Sequence, residues 1–136
     1  MERREERFTF TKKERLTRTI NIDTLFKEGK SFISYPLRVI YLVHEQRAES
    51  ACSTLISVPK KRIKKATHRN RIKRLMRESY RLNKALIDNK AIGDNSLHVA
   101  FIYVKDDESD YSTMQKAMQK ALSQISDRIK KTEQSE

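Results

Sequence analysis

Apolar residues along the chain fall into segments of two different periods, separated by short breaks of Gly, Pro and polar residues. Residues 37–44 (LRVIYLVH), 51–58 (ACSTLISV) and 97–104 (LHVAFIYV) are rich in β-branched and aromatic side chains, the composition of strands. Pro36 precedes the first run, Pro59 closes the second, and Gly93 lies ahead of the third. A further short strand is expected near Ser31–Ser34. Apolar residues stand at both parities of these runs, so helices should cover one face of the sheet fully and the other in part. Residues 19–28 (TINIDTLFKE) read as a short helix, with Asn21 as its cap and Gly29 as its C′ residue.

Elsewhere the period becomes 3.6. In a helix expected over about Ile63 to Asp88, Ile72, Leu75, Met76, Ser79, Leu82, Asn83 and Leu86 share one side. Arg69, Asn70, Arg71, Lys73, Arg74, Arg77, Arg81 and Lys84 take the other. A last helix, about Tyr111–Lys130, places Met114, Ala117, Met118, Ala121, Leu122, Ile125 and Ile129 in one apolar stripe, with Ser109 or Asp110 to cap it. The expected order is α-β-β-β-α-β-α. The fold class is therefore an α/β (α+β) two-layer sandwich with about four strands. Its 136 residues suffice for one domain, 1–136, with a core over about 8–130.

Charge changes this picture from a fold to a partner. The net charge is +12, and residues 60–84 hold twelve Lys or Arg against one acid, Glu78. The remaining residues are nearly balanced, so the basicity belongs to a site. Within residues 69–81 there are five Arg and one Lys, and guanidinium forks suit bidentate contact with phosphate. A solvated face would intersperse acids at i, i+4. This composition points instead to nucleic acid, with an acidic protein as the other anionic partner.

Candidate catalytic groups are sparse. His44, His68 and His98 stand at no ligand spacing with Cys or carboxylates; only His68 lies in the basic segment. Cys52 is a single thiol in an apolar run, which excludes an intrachain disulfide and suits a reducing compartment. Asp106, Asp107, Glu108 and Asp110 read as a solvated turn before a helix N-terminus. No phosphate-binding loop, nucleophile elbow or zinc-protease motif occurs. The charged start, MERREERF, predicts no signal peptide, and no run approaches the roughly 20 apolar residues of a membrane span.

The stretch KKRIKKATHRNRIKRLMRESYRL resembles the signature of the bacterial ribonuclease P protein component family: Lys60–Lys61, a linker, then Arg69-Asn70-Arg71 with Lys73 and Arg74, then Arg77, Glu78, Tyr80 and Arg81. Phe10, Lys12, Arg15 and Leu16 resemble the family's entry motif, and Phe26–Gly29 its first helix end. The resemblance implies a left-handed βαβ crossover at the Arg-Asn-Arg helix. It also implies a cytoplasmic subunit, inactive alone, that partners the ribonuclease P catalytic RNA and precursor tRNA, with no membrane or DNA role. Mg²⁺, held mainly by the RNA, would serve hydrolysis of the bond joining the 5′ leader to tRNA.

Lys60, Lys61, Arg69, Asn70, Arg71, Lys73, Arg74 and Arg77 are then the expected RNA-subunit-binding residues. Arg15, Ile22, Phe26 and Tyr41 are expected in the leader-binding cleft, with no catalytic and no metal-ligating residue in the protein. Ile22 stands where many relatives have Phe, and Pro59 precedes the Lys pair where many have Ser or Ala. Two other readings of the charge remain: a general RNA-binding or ribosome-associated protein, and a protein-only nuclease using Asp106–Asp110.

Overall fold

The computed structural model describes residues 19–44, 52–87 and 96–134. Helix α1 (Thr19–Glu28) leads into strands β1 (Lys30–Ser34), β2 (Leu37–His44) and β3 (Cys52–Ser57). Helix α2 (Ala66–Asn83) ends in a short 3₁₀ turn (Lys84–Leu86), and β4 (Ser96–Tyr103) precedes the long helix α3 (Tyr111–Gln134). The element order expected from the periodicity is the order observed. Phe8, Phe10, Lys12, Arg15 and Leu16 lie outside the described residues.

The four strands form one mixed sheet in the order β1-β2-β4-β3. β1 and β4 each run antiparallel to β2, whereas β3 pairs in parallel with β4, to which α2 connects it. Register decides the faces. Val39 opposes Phe101, Tyr41 opposes Val99, and Thr54 also opposes Val99, so these positions share the face under α2 and α3. Arg38, Ile40, His98, Ala100 and Leu55 alternate with them and share the face on which α1 lies.

The larger core lies between the sheet and α2/α3. From α3 it takes Met114, Met118, Leu122 and Ile125, and from β4 it takes Leu97, Val99, Phe101 and Tyr103. Each such apolar side chain contributes about 1.5–3 kcal/mol on burial. Ser34 Oγ donates to the Ala117 carbonyl of α3 at 2.8 Å, and the Arg128 guanidinium lies 4.6 Å from the Phe32 ring, so α3 also holds the edge strand. A smaller cluster, Leu25, Ile40 and Ala100 with Ile22 against it, seats α1 on the opposite face.

Three expectations about the helices are corrected. The second helix begins at Ala66, not Ile63; Ile63 is buried in the linker, whose amides at 62 and 63 turn back to the Pro59 carbonyl. Its buried stripe is Ile72, Met76, Ser79, Tyr80 and Asn83. Leu82 and Leu86, expected to dock, are exposed, because Tyr80 takes the space beside Phe101, ring centroids 5.9 Å apart. Asn21 lies inside α1 rather than at its cap.

Two polar residues sit inside that stripe. Asn83 Nδ2 donates to the Ser79 carbonyl at 2.8 Å, and its Oδ1 accepts from Gln119 Nε2 of α3 at 3.2 Å. Ser79 Oγ donates to the Met76 carbonyl at 3.0 Å. The buried polar atoms are thus paired, as a low-dielectric interior requires.

Gly29 follows α1, and its amide bonds the Leu25 carbonyl at 2.8 Å. Its backbone is not in the left-handed region expected of a C′ glycine. Its need is for space: a Cβ would overlap the Leu25 carbonyl oxygen and come within 2.9 Å of Ile40 Cγ2 and 3.0 Å of the Tyr41 carbonyl oxygen.

Candidate nucleic-acid interface

The twist of α2 sorts its side chains into a buried stripe and, diametrically opposite at 100° per residue, the line Asn70–Arg74–Arg77 with Lys73 beside it. Asn70, Arg71, Arg74 and Arg77 are exposed, and Lys73 is half-buried. Lys60 and Lys61 are exposed in the turn closed by the Pro59 carbonyl, which places them just before the same helix. Lys73, Arg74 and Arg77 form no ion pair among the described residues. All eight residues expected to meet RNA therefore belong to α2 or its approach, yet they are not equivalent.

Arg69 organises the approach. Its Nη1 donates to the Ile63 carbonyl at 3.0 Å and the Lys64 carbonyl at 2.8 Å, tying the linker to the first turn of α2. Lys65 stands at the N-cap and supplies no side-chain cap. The lysine-bearing linker leads directly into the positive dipole end of the helix, an arrangement that favours anions.

Arg71 differs again. Its Nη1 donates to both oxygens of Glu108, at 3.1 and 3.2 Å, and His68 Nδ1 lies 3.6 Å from Glu108 Oε2. Arg62 pairs with Asp106 at 3.2 Å, and Lys105 with Asp107 at 3.5 Å. The acids read as a solvated turn therefore reach across 37 and 44 residues of sequence to neutralise one flank of the basic segment. The sequence expectation of one acid against the whole segment is corrected accordingly.

The loop carrying those acids is braced from beneath. The Tyr103 hydroxyl donates to the Asp107 carbonyl at 2.5 Å and shares a hydrogen bond with Ser109 Oγ at 2.9 Å. Burial raises the Tyr103 pKa above its ordinary value, with the Ser109 hydrogen bond pulling the other way. Past the loop, Asp110 caps α3, accepting from the Thr113 amide at 2.9 Å; hydrogen bonding from the Thr113 side chain, and then from its amide, holds the Asp110 pKa below the ordinary value. Ser109, the other expected cap, is buried against Tyr103 instead.

The α1 side of the sheet supplies the second surface. Leu25 anchors the helix there, which leaves Ile22 half-buried and Phe26 46 % exposed. Arg38, two residues before Ile40 on the same face, is exposed. Tyr41 does not join them. Odd positions of β2 face the main core, and Tyr41 is only 6 % exposed, edge-on to Phe32 with centroids 6.2 Å apart. The expectation that it lines the cleft is one residue out of register, and the face-sharing residue is Ile40. Arg15 lies outside the described residues.

Among the described residues no three His, Cys, Asp or Glu side chains gather as a metal-binding group. Among the same residues, no helix is long and apolar enough to cross a membrane.

Comparison with known proteins agrees along most of the chain. A family model described as Ribonuclease P matches residues 10–126. The ribonuclease P protein component of Porphyromonas gingivalis is 43% identical over 124 residues, 90% of each chain. That of Chlorobaculum tepidum is 38% identical over 90 residues, covering 60% of this chain and 58% of its own. Among solved structures, the RNase P protein from Thermotoga maritima superposes with a TM-score of 0.66 at 27% identity, covering 82% of this chain and 97% of that one. A Staphylococcus aureus RNase P protein, at 20% identity and a TM-score of 0.61, shares the fold over 82% of this chain and 94% of its own.

Proposed function

This chain belongs to the bacterial ribonuclease P protein component family and is a protein subunit of that tRNA-processing endoribonuclease, and from this premise we propose how it serves the enzyme. Its partner is the ribonuclease P RNA. The α2 surface of Lys73, Arg74, Arg77 and Asn70, extended by Lys60 and Lys61, grips phosphates of that RNA. The surface beside α1, with Ile22 and Phe26, takes the single-stranded 5′ leader of precursor tRNA, a role the sequence motif also gives to Arg15. A leader of variable sequence is best held by stacking surfaces and a cationic groove, without base-edge readout.

The observation that carries this reading is the cationic line on α2, opposite the buried stripe and without an ion pair among the described residues. The carboxylates of the loop before α3 do not fit a Mg²⁺ site: Asp106, Asp107 and Glu108 each face a cation, namely Arg62, Lys105 and Arg71. In this reading the RNA holds Mg²⁺ and carries the hydrolytic chemistry. The protein supplies affinity and position, in the cytoplasm.

Reconstitution tests this. Mixed with a bacterial ribonuclease P RNA at physiological Mg²⁺, the chain should increase cleavage of precursor tRNA, with no cleavage by the protein alone. Absence of any stimulation, or cleavage without RNA, would overturn the reading.

A further inference from the structure

A depression beside the β1–β2 turn lies between the two surfaces described above. It is an open hollow of about 610 Å³, and Ser31, Ile33, Tyr35, Arg38 and Arg62 are among its walls. That volume falls within the roughly 300–1,000 Å³ of small-ligand sites. Ile33 is 60 % and Tyr35 63 % exposed, so two large apolar side chains, two residues apart, are left facing water. Two arginines line the same depression. Arg38 comes from the α1 side of β2, two residues before Ile40, and Arg62 comes from the basic linker next to Lys60 and Lys61. Asp106 engages Nη1 of Arg62, and the guanidinium has further N–H donors to offer.

We propose that this depression binds one unpaired nucleotide of the 5′ leader, its base against Tyr35 and Ile33 and its phosphate between Arg38 and Arg62. The proposal rests on the leader-binding reading above and adds a subsite to it. Position argues for the leader: the depression joins the α1 surface, through Arg38, to the RNA-binding linker, through Arg62. A strand passing from one surface to the other crosses it. Chemistry argues for an unpaired base, since a base within a helix offers no free face to an aromatic ring. Of the polar groups named at the rim, Ser31 alone is neither an arginine nor the Tyr35 hydroxyl, so the subsite should accept any base.

The test uses the full chain assembled with ribonuclease P RNA. Affinity is measured for precursor tRNA and for mature tRNA without a leader, alongside affinity of the protein for the RNA subunit. Tyr35→Ala should weaken precursor binding about tenfold while leaving mature tRNA and assembly unchanged, and Tyr35→Phe should retain binding. Arg38→Gln should reduce the slope of log K against log salt for precursor by about 0.7, the share of one phosphate contact. Wild-type precursor affinity in Tyr35→Ala, or equal losses in Tyr35→Phe and Tyr35→Ala, would overturn the subsite. Phe26→Ala in the same series separates the two levels. If Phe26→Ala weakens precursor binding and Tyr35→Ala does not, the α1 surface stands and the subsite fails. If neither variant nor removal of the leader changes affinity, the leader reading fails and the subsite with it.

Discussion

Glu108→Gln removes the carboxylate that sits against Arg71 and His68 while preserving its size. The pair it breaks is a surface one, with the Arg71 side chain 62% and that of Glu108 31% exposed. Such pairs contribute about 0.2–1 kcal/mol to stability, so the variant should lose roughly 1–3 °C in melting temperature. RNA binding should move the other way. A phosphate docked on Arg71 would stand on the order of 7 Å from the Glu108 charge, a repulsion of about 0.6 kcal/mol in a water-like dielectric, or about threefold in affinity. Releasing Arg71 from its own pair adds to this gain. The protein should therefore bind ribonuclease P RNA about three- to tenfold more tightly at low salt. The difference should shrink once the screening length falls below about 10 Å, near 0.1 M salt. Titrations of wild type, Glu108→Gln, Arg71→Ala and the double variant across a salt series measure it. In the Arg71→Ala background the gain should drop to the bare Coulomb share. Weaker RNA binding by Glu108→Gln, with the fold intact, would refute the reasoning: Glu108 would then be holding Arg71 in its binding geometry, not competing for it.

Gly29→Ala should destabilise the protein by about 1–3 kcal/mol in urea unfolding, because α1 and β2 must separate to admit the methyl group. Changing Lys73, Arg74 and Arg77 together to Gln should flatten the salt dependence of RNA binding by about 2 in log–log slope, with little change in stability. Asp110→Ala should destabilise the protein at neutral pH, where the carboxylate caps α3 in its ionised form. Its folded pKa is depressed, so the contribution is complete above the ordinary carboxylate value of about 3.9 and fades as the pH falls through the lower folded value. The melting-temperature gap between wild type and variant should close over that acidic range.

What the sequence revealed was mostly local. Runs of β-branched and aromatic residues bounded by Pro and Gly marked β2, β3 and β4, and a period of 3.6 marked α2 and α3, because composition and helical spacing act without any tertiary information. The cationic face of α2 followed from the same arithmetic. What escaped was which face meets which neighbour. Alternation in LRVIYLVH separates Tyr41 from Ile40 but does not say that α1 covers Ile40, a fact set by the packing of Leu25. Tyr80 displaced Leu82 from the stripe for a similar reason, since only the fold brings Phe101 beneath it. The pairing of Arg62 and Arg71 with Asp106 and Glu108 joins segments far apart in sequence, so no local pattern announces it. Gly29 was correctly singled out for the wrong cause: a search for backbone freedom found a site where two main chains nearly touch.

The Asn83–Gln119 bond bears on how α2 presents its cations. An apolar stripe of Ile72 and Met76 tolerates some rolling of the helix, because dispersion contacts have little directionality. A buried amide does not, since Asn83 Oδ1 meets Gln119 Nε2 of α3 at one azimuth only. Slipping the helix by one residue would turn it by 100°, take Asn83 Oδ1 away from Gln119, and swing Arg74 and Arg77 off the surface they now share. One buried amide on the hidden side of the helix, with its partner on α3, thereby sets the aim of the charged side chains, like the keyway that fixes a shaft in its hub.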